Sequence, residues 1–149
     1  MNIYLVGSLK DPEFPHVADR LREEGHEVFD DWRGGGHDGD QRWHMYELNE
    51  RGRNYVEALR SPFATNNFDF DKHHLDRCDV AIAVCKPGKL PGRSSVAELT
   101  YVRWALGRRT YILLNGEPDE WDLMLPLTAH GFFYSVDGLV AQLQEDASR

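Results

Sequence analysis

The sequence of 149 residues contains no apolar run near the roughly 20 residues that a bilayer-spanning helix needs. No membrane partner is therefore expected. Cysteine is scarce, with Cys78 and Cys85 the only two, seven positions apart. That spacing builds neither a disulfide framework nor a zinc site of paired ligands, so both are expected to be reduced, buried thiols. Positive charge is short as well: 17 Lys and Arg stand against 25 Asp and Glu, a formal net charge of −8. Binding along a nucleic-acid backbone rests on many Lys and Arg contacts, so a long nucleic acid is not an expected partner. A small anionic ligand stays compatible with the balance. Gly7-Ser8-Leu9-Lys10-Asp11 lacks the second and third glycines of a dinucleotide fingerprint, which disfavours a nicotinamide cofactor. Gly34-Gly35-Gly36 lacks the lysine and threonine of a P-loop and reads as a flexible lid or tip, and no Gly-x-Ser-x-Gly elbow surrounds a serine. His73-His74, with His37 and His44, shows no Glu-x-x-His or His-x-x-x-His pattern. No metal and no cofactor are expected.

What is present is a globular composition, 41% hydrophobic and 28% charged, in a length that suits one domain spanning residues 1–149. The chain opens on Asn2-Ile3-Tyr4-Leu5-Val6-Gly7, an apolar run expected to be a buried strand rather than a signal segment, and a cytoplasmic location is expected. Asp11-Pro12-Glu13 then supplies the cap, proline and acid of a helix start, and that helix should end near Gly25. Glu27-Val28-Phe29 reads as a second strand. One or two helices follow within residues 43–59, and Ser61-Pro62 begins another segment that runs to Cys78. Residues 79–84 are the clearest strand. A Pro- and Gly-rich loop, a helix from Ser95 to about Leu106 stopped by Gly107, a strand at 110–114, a short strand at 132–134 and a last helix at 137–144 complete the order. Strands alternating with helices imply a parallel sheet with helices on both faces. Ligands in such sheets bind beyond the carboxyl ends of the strands, which selects residues 7–10, 30–32, 85–98 and 115–117.

Within these clusters Gly7 and Ser8 can offer backbone and hydroxyl groups to a ribose or phosphate, with Lys10 as a cation, or form a plain strand-to-helix turn. Glu98 has two readings. It can be a carboxylate nucleophile at the sheet edge, or the last member of a capping box Ser95-Val96-Ala97-Glu98 in the first turn of its helix. Asp71 can hydrogen-bond a leaving group and protonate it, as paired carboxyls divide roles in retaining glycosidases, or serve as a cap or surface acid. Asp30 and Asp31 can grip sugar hydroxyls or form a solvated turn. Trp32 and Trp43 can stack on a base or anchor the core.

Ile3-Tyr4-Leu5-Val6-Gly7-Ser8, Gly25-His26-Glu27-Val28-Phe29, Asp71 eight residues before Asp79, and Ala97-Glu98-Leu99-Thr100-Tyr101 occur in one order along most of the chain. Together they resemble the nucleoside 2-deoxyribosyltransferase family, which includes relatives that hydrolyse deoxynucleoside 5'-monophosphates. The resemblance implies a Rossmann-like or flavodoxin-like three-layer α/β domain with a central parallel sheet of about five strands. It also implies cleavage of an N-glycosidic bond through a covalent deoxyribosyl-Glu98 intermediate. Asp71 would assist the base, and Tyr4 would lie beside the site. Nucleoside or nucleotide and free nucleobase are the implied small-molecule partners, and a homodimer or larger homo-oligomer is expected. The helix N-terminus should hold Glu98 ionised. Two departures stand out: Thr100 replaces the glycine of Glu-Leu-Gly-Tyr, and Gly92 takes the place of an aspartate six residues before the nucleophile. The loop instead carries Lys89, Arg93, Ser94 and Ser95, a set able to hold a phosphate.

Overall fold

The computed structural model of the chain describes residues 1–8, 10–31 and 38–149. Along it run β1 (Asn2–Gly7), α1 (Glu13–Glu23), β2 (Glu27–Phe29), α2 (Gly39–Trp43), α3 (Tyr55–Leu59), α4 (Pro62–Leu75), β3 (Val80–Pro87), α5 (Arg93–Thr100), β4 (Arg109–Asn115), β5 (Gly131–Phe133) and α6 (Val136–Ala147). Two of the helices widen without a break, α2 into π-type turns at His44–Glu50 and α5 into similar turns at Tyr101–Ala105. The strands form one parallel sheet in the order β2-β1-β3-β4-β5, the flavodoxin-type order of an open α/β sheet.

Local chemistry sets most helix starts. The Asp11 carboxylate accepts the Glu13 N–H at 3.1 Å, and the Ser61 hydroxyl accepts the Ala64 N–H at 3.3 Å in front of Pro62. α5 departs from expectation. Its cap is Gly92, extended at φ −66° and ψ 169°, so the helix begins at Arg93 and Ser95 already lies inside its first turn. Arg93, Ser94 and Ser95 all accept helical geometry directly after the Pro91-Gly92 turn. The Ser95–Glu98 capping box therefore does not form, and Glu98 sits in the second turn, not the first.

The sheet's period of two sorts the core into two layers. Ile3, Leu5, Val80, Ile82, Val84, Tyr111 and Leu113 face α1 and α6, whereas Tyr4, Val6, Ala81, Ala83, Cys85, Ile112 and Leu114 face Leu75 of α4 and Leu99 of α5. Parity thus sends the Tyr4 ring towards the helices that carry Asp71 and Glu98, and the small Ala81 and Ala83 leave it room. Cys78 and Cys85 are free and buried in that second layer, and burial pushes their thiols up to about 11 and about 12. At the end of β1, a Cβ on Gly7 would lie 2.8 Å from both the Phe14 ring and the Val84 carbonyl oxygen. Glycine is what lets α1 and β3 close on that strand end.

Candidate functional site

β1 is followed by a crossover to one side of the sheet and β3 by a crossover to the other, so the chain parts between their carboxyl ends. A cavity of about 730 Å³ opens there, where the topology of an open α/β sheet places ligands. Gly7, Ser8 and Lys10 line it from β1, Asp71 from α4, and Ser95 and Glu98 from α5. The register of β3 against β4 slips by one residue between Val84 and Pro87. Strand slips of this kind re-aim side chains at a sheet rim, and Cys85 and Lys86 lie in the slip and line the cavity.

Glu98 is anchored by Tyr4, whose hydroxyl donates to Oε1 at 3.2 Å across 94 positions of sequence. Tyr4 is 4% exposed. Its ring stacks on Phe29 at a centroid distance of 5.1 Å, and Phe29 stacks in turn on His74 at 3.8 Å, so the hydroxyl has a fixed direction. Only one carboxylate oxygen of Glu98 is engaged in this bond, which leaves Oε2 for another partner.

Burial dominates the electrostatics. It pushes Glu98 up to about 7, helped by the charges of Asp71 and Asp31 and opposed by the Tyr4 hydrogen bond. Asp71 is pushed up to about 6 by burial and then by Asp31 and Asp40. Asp31 is raised by burial and by Asp30 and Asp40, and the Tyr4 hydroxyl is raised by burial and by Glu98 and Asp71. The expectation that the helix N-terminus keeps Glu98 ionised is thus overturned. The dipole's influence fades within the first turn, and in the second turn desolvation and a neighbouring acid outweigh it.

Among the residues singled out from sequence, Tyr4, Gly7, Ser8, Lys10, Asp71, Arg93, Ser94, Ser95 and Glu98 come together around this cavity. Lys89 reaches its rim and pairs with Asp119 at 2.9 Å. Ser95 is only 8% exposed yet makes no side-chain hydrogen bond among the described residues, so its hydroxyl is left to the cavity it lines. Asp31 does not line the cavity and acts on it through charge, from a left-handed backbone at φ 48°. Asp30 is buried and paired with Arg22 at 2.9 Å, a structural ion pair that removes it from sugar binding. Trp32 lies outside the described residues. Asp79 accepts the Asn2 backbone N–H at 2.7 Å at the opposite end of the sheet. Thr100 is exposed and bonds back to the Val96 carbonyl at 2.7 Å, away from the cavity lining.

Two charged lining residues, Lys86 and Asp40, were missed from sequence. Lys86 sits in a selected strand end but was not singled out, whereas Asp40 follows a glycine-rich stretch with no periodic signal. Only the tertiary fold brings Asp40, on α2, to the cavity.

No protein-family model matches the chain, and no curated protein matches it significantly. Solved structures do resemble it. A 2-deoxyribosyltransferase from the psychrotolerant bacterium Bacillus psychrosaccharolyticus matches with a TM-score of 0.59 and 19% identity, over 92% of this chain and 88% of its own. A CMP N-glycosidase from Clostridium botulinum matches with a TM-score of 0.47 and 18% identity, over 95% of this chain and 97% of its own. The first likeness establishes a shared fold.

Proposed function

We propose that residues 1–149 act as a single nucleoside 2-deoxyribosyltransferase-like domain that cleaves the N-glycosidic bond of a 2'-deoxynucleoside or deoxynucleotide. The observation that carries this reading is Glu98 itself: a carboxylate with one oxygen held by Tyr4, facing a cavity that also contains a second acid, Asp71. The motif order along the chain and the fold shared with a deoxyribosyltransferase support it.

In the reading we favour, the free Glu98 oxygen attacks C1' of the sugar as the C1'–N bond breaks, and the bonding pair leaves with the base. Asp71, protonated up to about pH 6 by its buried, acidic surroundings, gives the departing base a proton. A second nucleobase then attacks C1' from the vacated side, the Glu98 ester bond breaks, and Asp71 takes back a proton. Two inversions give net retention. Residues of the neighbouring copy in a homo-oligomer would border the site. The exposed Trp121 and Leu123, at 84% and 92%, supply an apolar surface of the kind that assembly covers.

One observation favours a second reading, in which water replaces the second base and the substrate is a deoxynucleoside 5'-monophosphate. Lys10, Lys86, Arg93, Ser94 and the unpartnered Ser95 gather at the start of α5, a cationic rim with free helix N–H groups that suits a phosphate.

The deciding experiment supplies deoxynucleosides and their 5'-monophosphates, each with and without a second free base, and follows base release and product identity. Intact-mass analysis should show one deoxyribosyl group on the wild type and none on Glu98→Ala. If no donor loses its base while ligands still bind, the chain is a nucleotide-binding module and the glycosyl-enzyme reading is lost.

A further inference from the structure

Beside the catalytic cavity lies a second one of about 660 Å³, joined to it through Lys10, Asp40 and Ser94, which border both. The mechanism above gives it no task. A ligand site of several hundred Å³ already encloses a molecule of drug size, so a mononucleotide is accommodated by the first cavity alone. In a two-step exchange the incoming base enters where the leaving base departed, so the acceptor needs no second chamber either.

Two aromatic side chains, Trp43 and Tyr55, stand in the otherwise largely polar wall of this second cavity. Trp43 is fixed by its indole N–H, which donates to the Ala58 carbonyl at 3.1 Å, and it meets Tyr55 edge-on, with ring centroids 6.1 Å apart and planes at 75°. An edge-on pair presents an open corner whose faces can each take a flat ring. Leu59 adds an apolar side, while Gln41 and Asn67 supply amides that can donate to and accept from a base edge. At the neck between the cavities stand a cation, Lys10, with no carboxylate partner among the described residues, and Ser94 in the first turn of α5. Asp40, at the same neck, is an acceptor for a sugar hydroxyl or a base amino group.

A flat ring, a neck that suits an anion and a second sugar-binding cavity describe two nucleosides joined by a phosphate. Resting on the N-glycosidase reading, we propose that the preferred substrate is a deoxydinucleotide. Its 3' nucleoside lies at Glu98 and Asp71, its phosphodiester passes Lys10 and Ser94, and the base of its 5' nucleoside stacks in the Trp43–Tyr55 corner. With water as the acceptor one water is consumed: the C1'–N bond of the 3' nucleoside breaks, the base leaves with a proton, and a dinucleotide with one hydroxyl at C1' remains; with a second base as the acceptor, that base gives up a proton and takes the place of the hydroxyl. The acidic chain surface keeps longer strands away, which limits the substrate to short fragments.

The test compares the four homodinucleoside monophosphates of the deoxy series with the four matching deoxynucleoside 5'-monophosphates. Stacking of one base on an aromatic side chain amounts to a factor of roughly ten in affinity. The KM for base release from the 3' position should therefore be about tenfold lower for the dinucleotide. Tyr55→Ala, at a side chain 62% exposed and so removable without loss of the fold, should abolish most of that advantage and leave the monophosphate kinetics unchanged. Equal KM values for the two substrate classes overturn the proposal. So does a Tyr55→Ala effect of the same size on both, since the chamber would then hold the cleaved base itself. Should no compound lose a base, the N-glycosidase reading fails separately. Calorimetric binding of the same compounds to wild type and Tyr55→Ala then decides the chamber: tighter dinucleotide binding that depends on Tyr55 supports it, and equal affinities overturn it.

Discussion

At the scale of single residues the proposed chemistry turns on two carboxyls whose values lie near neutrality, in the opposite order from the tasks it assigns them. The nucleophile must be ionised and the acid protonated, yet Glu98 is pushed up to about 7 and Asp71 to about 6. The competent form is one of the two singly ionised states, so activity rises as the pair loses its first proton and falls as it loses its second. At equal total charge it is the minor form of the pair, because the higher value belongs to the group that must be ionised. The profile of kcat/KM should thus be a narrow bell centred between the two values, with limbs that belong to the pair. A flat profile from pH 5 to 8 would count against these roles. Tyr4→Phe removes a hydrogen bond that lowers the Glu98 value, so the alkaline limb, which follows the higher value of the pair, should move to higher pH while the maximum falls. The same shifts enter stability. Folded Glu98 keeps its proton to about pH 7, while the unfolded chain releases it near the ordinary 4.5. The stabilising contribution is therefore complete below about 4.5 and is lost as pH rises through 7. Above that, an ionised Glu98 costs on the order of 3 kcal/mol, and Asp71 acts in the same direction. Glu98→Gln should accordingly raise Tm at pH 8 and leave it nearly unchanged at pH 5, as thermal unfolding at the two pH values would show.

At the scale of elements the site depends on where β1, β3 and α5 end and begin. Gly7 is the contact point: a methyl group there meets the Val84 carbonyl and the Phe14 ring at 2.8 Å, and backbone cannot give way as a flexible side chain can. Gly7→Ala should destabilise the fold by about 1–3 kcal/mol, read from urea unfolding, and raise KM through displacement of the Ser8 turn. An unchanged midpoint would show that β1 and β3 are looser than described. The start of α5 at Arg93 puts three consecutive residues, Arg93, Ser94 and Ser95, on the cavity wall. Glu98 follows one turn later on the same helix and lines the same cavity. In the nucleotide reading, this offset separates the helix end that would take the phosphate from the buried carboxylate and keeps the two charges from competing.

At the scale of the molecule a net charge of −8 surrounds a cavity rim that is locally cationic. If the substrate carries a phosphate, as in the nucleotide reading, its binding should be short-range and weaken with salt. The large apolar side chains of Trp121, Leu123, Met124 and Leu127 are all more than half exposed and cluster in one stretch of sequence. Sedimentation should give a mass that is a multiple of 17.2 kDa, and Leu123→Asp should shift it towards the single chain. A wild type that sediments at 17.2 kDa at assay concentrations would remove the oligomer from the reading.

What the sequence alone determined was local. Val80 to Val84 and Thr110 to Leu114 read as buried strands because apolar runs bounded by turn residues have few alternatives. Ser61-Pro62 and Gly107 marked helix ends because caps and left-handed turns act over a few residues. The carboxylate and its upstream acid were also legible, as residue types in a recognisable order. The order of the strands, the start of α5 two residues early, the entry of Asp40 and the diversion of Asp30 to Arg22 were not. Neither was the ionisation of Glu98, which the helix end was expected to favour and which burial reverses. Each of these depends on groups far apart in the chain, Tyr4 and Glu98 being 94 positions apart. Desolvation and charge proximity are properties of the space a side chain occupies, and that space exists only once the sheet has brought its two crossovers together.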